Sequence, residues 1–87
     1  MLGMTLEEFL QGCQKPIITE LGTSQKGNRK IHVCEPWQPI HSDGSPNDPE
    51  YDRDFCHGII VNPTGIIVYY EDDVNGGPLQ LASHFKL

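Results

Sequence analysis

His57-Gly58-Ile59-Ile60-Val61-Asn62-Pro63-Thr64-Gly65-Ile66-Ile67-Val68-Tyr69-Tyr70-Glu71 sets two apolar runs on either side of one turn signal. β-Branched and aromatic residues fill both runs, as suits strands. Asn62 stands at the first turn position, Pro63 at the second and Gly65 at the fourth. That order predicts a type I turn closed by a left-handed glycine, a three-residue hairpin loop. With Asn62 opposite Ile66, the expected pairs are Val61 with Ile67, Ile60 with Val68, Ile59 with Tyr69 and Gly58 with Tyr70.

This register puts Ile60, Val68 and Tyr70 on one face and Ile59, Val61, Ile67 and Tyr69 on the other. An antiparallel sheet with one wet face alternates apolar and polar residues, and this hairpin does not. Both faces therefore demand cover. One short helix covers one of them, so the face of Ile59, Val61, Ile67 and Tyr69 is expected to meet a folded-back loop or a second copy of the chain. Uncovered apolar surface of this kind marks interfaces, and a small domain gains from extra burial, which favours a homodimer.

Upstream, Thr5 followed three residues later by Glu8 makes a capping box, and Leu6, Phe9, Leu10 and Cys13 repeat at helical spacing. A short amphipathic helix over 5–13 follows, limited by Gly12 and Pro16. Ile17 to Leu21 and Lys30 to Glu35 read as strands joined by a polar, glycine-containing connection. In the second of these, Ile31 and Val33 share a face and His32 and Cys34 share the other.

Residues 36–56 hold Pro36, Pro39, Pro46 and Pro49, five acids, and no aliphatic side chain after Ile40. Proline removes ladder donors, so a long acidic loop is expected, pinned by Trp37, Ile40, Tyr51 and Phe55. Beyond a second acidic turn at 71–78, alternation of Leu79, Leu81, Phe85 and Leu87 with polar partners predicts a closing strand. The expected architecture is a single α+β domain over 1–87. It has one N-terminal helix on an antiparallel sheet of four to five strands.

The 87 residues carry a formal net charge of -6. Residues 1–34 hold 3 acids against 4 bases, whereas 35–87 hold 9 acids against 2 bases. Such a balance argues against nucleic-acid binding, which rests on cations meeting phosphate. It also argues against docking on anionic lipid. No apolar run reaches the roughly 20 residues that span a bilayer, and no basic, apolar leader opens the chain, so a cytoplasmic location is expected. Three widely spaced cysteines, Cys13, Cys34 and Cys56, read as reduced thiols rather than a disulfide framework.

Several chemistries are weighed against plainer readings. His32, Cys34, His41, Cys56, His57 and His84 lack the tight paired spacing of structural zinc sites, so no metal and no cofactor are expected. A Cys–His nucleophilic pair has no supporting turn. Asp48, Glu50, Asp52 and Asp54 alternate like calcium ligands, but Arg53 and Ile59 stand where an EF-hand requires Gly and Glu. Gly76-Gly77 leads into Pro78 rather than a phosphate-cradling helix.

The leading expectation is therefore a non-enzymatic interaction or inhibitor-like module, homodimeric, steering a basic protein partner. Its surface would comprise Trp37, Asp43, Asp48, Glu50, Tyr51, Asp52, Asp54, Asp72 and Asp73. A small-molecule module with a pocket between the sheet and the Trp37 loop is the alternative. An enzyme dependent on Cys and His, or on a metal, is a second one.

Overall fold

Thr5 opens the helix in the way its sequence dictates: its hydroxyl accepts from the Glu8 N–H and the Glu8 carboxylate accepts from the Thr5 N–H. The computed structural model describes residues 2–41, 43–48 and 54–73, and of Asp73 the backbone alone. Helix α1 spans Leu6–Gln11, followed by strands β1 (Ile17–Thr23), β2 (Arg29–Glu35), β3 (Phe55–Val61) and β4 (Ile67–Asp73). The strands form one antiparallel sheet in the order β1-β2-β3-β4. Among the described residues the fold is thus α+β, with one short helix and a four-stranded sheet. The expected closing strand at 79–87 lies outside the described residues, as do Glu50, Tyr51 and Asp52. No helix among the described residues is long and apolar enough to cross a membrane.

The hairpin turn forms as read. Gly65 N–H donates to the Asn62 carbonyl at 2.9 Å, Gly65 has φ +90°, and the Asn62 carboxamide oxygen accepts from the Ile66 N–H. Opposite this turn, Gly27 in the β1–β2 connection also has φ +86°, and a Cβ there would meet Pro63 at 2.9 Å. The two hairpin ends therefore touch, and only glycine fits at that approach.

The register beyond the turn departs from expectation. Val61 pairs with Ile67, but Ile60 then pairs with Tyr69, Ile59 with Tyr70, Gly58 with Glu71 and His57 with Asp72. Val68 is the extra residue of a bulge. Because side chains alternate with period two, one extra residue sends everything after it to the other face. Tyr70 joins Ile59, Val61 and Ile67 in the core, and Tyr69 leaves it.

The expected open face is corrected accordingly. Ile31, Val33, Ile59, Val61 and Ile67 are buried with Phe9, and Met4, Leu6, Leu10, Cys13 and Tyr70 pack around them. Ile59, Val61 and Ile67 thus lie beneath α1 rather than facing a loop or a second chain. Ile60, on the opposite face, is also fully buried. Exposed aliphatic side chains include Ile17, Ile18 and Leu21 on β1, at 57%, 46% and 50%, together with Leu2, Ile40 and the bulge residue Val68.

Helix α1 is held over the sheet at both ends. Before it, Gly3 N–H donates to the Ile67 carbonyl and Ile67 N–H donates to the Met4 carbonyl, at 3.1 and 2.9 Å. After it, Gln14 N–H donates to Glu35 Oε1 at 2.6 Å. These anchors set the helix across one end of the sheet.

Candidate functional site

On the core face, β2, β3 and β4 end in polar residues where their middles are apolar. Glu35 closes β2, His57 lies near the start of β3, and Asp72 lies near the end of β4. The pairing of Glu35 with Phe55, Val33 with His57 and His57 with Asp72 makes these side chains near neighbours. Helix α1 brings Phe9, and Cys13 follows just beyond its last turn. Together they line a cavity of about 370 Å³, whose wall includes Met4, Glu8, Phe55 and Tyr70.

His57 is its centre and is buried, at 4% exposure. Its Nε2 lies 2.5 Å from Glu35 Oε2, and its Nδ1 lies 2.7 Å from Asp72 Oδ1 and 3.3 Å from the Tyr70 hydroxyl. A neutral imidazole has a single N–H. Two short carboxylate contacts therefore need a second proton on the ring, a protonated carboxyl, or a cation at one nitrogen. Phe9 meets the ring edge-on with centroids 5.0 Å apart, and Phe55 lies 4.6 Å away at a tilt of 51°. These apolar rings limit water around the pairs, which strengthens each electrostatic contact.

Cys13 completes the cluster. One donor atom from each of Cys13, Glu35 and His57 lies within 4.8 Å of the others. The Cys13 thiol donates to the Phe9 carbonyl at 3.5 Å. Burial, then the negative charges of Glu35 and Asp72, push this thiol up to about 11. Tyr70 is also pushed up, first by burial, then by its hydrogen bond to Asp72 and by that carboxylate's charge.

Of the described residues singled out in the sequence, Asp72 and His57 lie at this site, whereas Trp37, Asp43, Asp54, Cys34 and Cys56 do not line it. Asp72, expected on an acidic docking surface, holds the imidazole. Asp43 accepts from the N–H and hydroxyl of Ser45, which lowers its carboxyl, and Asp54 accepts from the Trp37 N–H at 2.8 Å. Both acids thus serve as local loop ties. Trp37 itself is half-buried. Cys34 and Cys56 stand opposite each other on the outer sheet face, and His57 points to the core. His84 lies outside the described residues.

Cys13 and Tyr70 read in the sequence only as members of apolar faces, and Glu35 has one signal, parity: it shares the face of Ile31 and Val33, so an acid continues an apolar row. No family model, no curated protein and no solved structure matches the chain.

Proposed function

We propose that the chain is a metal-binding module that takes one zinc-class dication on Cys13 Sγ, a Glu35 carboxylate oxygen and His57 Nε2. The observation that supports this reading is the convergence of a thiol, a carboxylate and an imidazole within 4.8 Å of one another. Asp72 then sits on the other imidazole nitrogen. Thiolate, imidazole and carboxylate together suit zinc, whereas magnesium and calcium favour oxygen alone. Asp72 fills the outer position typical of zinc-ligating histidines: with the ring proton on Nδ1 it would accept from that N–H, and the Nε2 lone pair would ligate. A dication would offset the thiolate and Glu35 charges. Three protein donors leave a fourth position toward the cavity, open to water or a small ligand.

Zinc must displace the Cys13 proton, so affinity falls as pH falls. The test is titration of chelator-stripped protein with zinc against a chromophoric competitor. One ion per chain is expected, and Asp72→Asn should weaken binding by about 10–100-fold. Cobalt in place of zinc should give a thiolate charge-transfer band that Cys13→Ser removes while Cys34 and Cys56 remain. Absence of uptake, or a band that survives Cys13→Ser, overturns the reading.

A second reading, self-association, draws on β1. This strand is one of the two outer strands among those described, and all seven of its residues are exposed. An edge of this kind pairs with another strand readily, and a second copy offers the same apolar Ile17, Ile18 and Leu21. Light scattering across concentration should give a dimer that Ile18→Lys converts to monomer. A monomer throughout removes this reading and leaves the metal site untouched.

A further inference from the structure

The outer face of the sheet carries a second pair of chemically active groups, independent of the pocket. Cys34 and Cys56 are direct partners in the antiparallel register of β2 and β3. Directly opposed residues in such a ladder have Cα atoms about 4.5 or 5.5 Å apart, and both values lie within the window a disulfide accepts. Both thiols are free and partly exposed. Cys13 is separated from them by the sheet, because its thiol lies on the core side against Phe9.

We propose that Cys34 and Cys56 form a reversible dithiol–disulfide couple that exchanges with small disulfides of the oxidised-glutathione class. One protein thiolate attacks the small disulfide, which forms a mixed disulfide and releases one small thiolate. The other protein thiolate then attacks the protein sulfur of that mixed disulfide. The Cys34–Cys56 bond forms and the second small thiolate leaves. The protein loses two electrons and two protons, and the small disulfide becomes two thiols, so the exchange balances.

The strand ladder already holds the two sulfurs together, so the second step is intramolecular and needs no backbone movement. The bond would close the 21 residues between Cys34 and Cys56 into a ring. That ring contains Trp37 and the acidic segment, and its two ends neighbour Glu35 and His57. The bond would add a covalent tie to loop ends that the β2–β3 ladder already pairs at Glu35 and Phe55.

The test incubates native, chelator-treated protein with oxidised glutathione, then blocks remaining thiols with an alkylating reagent and maps the peptides by mass. The expected product has lost two hydrogens, links the Cys34 and Cys56 peptides, and is alkylated at Cys13 alone. Dithiothreitol should restore three alkylated thiols. In Cys34→Ser, and in the milder Cys34→Ala, Cys56 should stop at the glutathione adduct, with folding checked by circular dichroism. Three thiols left free, stable adducts on both cysteines of the wild type, or links between chains would each overturn the proposal. Because metal is removed throughout, this outcome is independent of zinc binding at Cys13.

Discussion

His57→Ala is expected to abolish tight zinc binding and to destabilise the metal-free chain as well. His57 is only 5% exposed along its side chain, and it separates Glu35 from Asp72 at 2.5 and 2.7 Å. Removing it deletes one proposed metal ligand and takes from Glu35 and Asp72 the imidazole they share, leaving them the Gln14 N–H and the Tyr70 hydroxyl. The loss of an outer-shell partner costs about 10–100-fold in affinity, so loss of the ligand itself should exceed that range. Truncating one member of a buried pair costs about 3–5 kcal/mol, against about 5–15 kcal/mol for the stability of a whole domain. Asp72 is partly exposed, which places the expected loss at the lower end of that range. Zinc titration and urea unfolding of the stripped protein measure the two effects separately. Unchanged zinc affinity would remove His57 from the metal site, and an unchanged unfolding midpoint would show the two carboxylates well solvated without it.

Phe9→Ala should produce the largest purely structural effect, about 3–5 kcal/mol by urea unfolding. Phe9 is the buried residue of α1, at 4% exposure, and it joins the helix to Ile31, Val33, Ile59, Val61 and Ile67. It also meets His57 and Tyr70 edge-on, with centroids 5.0 and 5.7 Å apart. Its removal therefore creates a cavity in the core and opens the pocket wall to water. Zinc affinity should fall with it, although no ligand is changed. A loss below about 1 kcal/mol would mean that the site collapses to fill the gap, since the cost of truncation depends on that relaxation. The anchors of Met4 on Ile67 and Gln14 on Glu35 would then be what holds α1.

Much of the fold was legible because its signals are local. Thr5 and Glu8 are three residues apart, and the capping box needs nothing else. Asn62, Pro63 and Gly65 specify their turn through backbone preferences alone. The parity of Ile31 and Val33 marks a buried face in any sheet that the strand joins. The bulge at Val68 was not legible, since Ile67-Val68-Tyr69-Tyr70 has no polar residue or glycine to mark an interruption. It coincides with the point where Gly3 and Met4 pair with Ile67, a contact between residues more than sixty positions apart. The expected register was correct at Val61 and Ile67 and one residue out beyond them.

The candidate site was the least legible part, for the same reason. Zinc spacing rules describe ligands close together in sequence, whereas Cys13, Glu35 and His57 are each 22 positions from the next. Asp72 is exposed, as an acidic surface residue would be, and its carboxylate also reaches His57 across the strand pair.

The sequence by itself determined the helix, the strands, the hairpin turn and the charge division between near-neutral and acidic segments. Each depends on residues within a few positions of one another, where backbone preference and side-chain period act directly. Tertiary structure alone decided which acids meet the imidazole. One extra residue in β4 turns Tyr70 and Asp72 toward His57, and the anchored helix lowers Cys13 onto the same spot. A side chain's face after a bulge depends on pairing along the whole strand, and pairing is decided by what packs across the sheet.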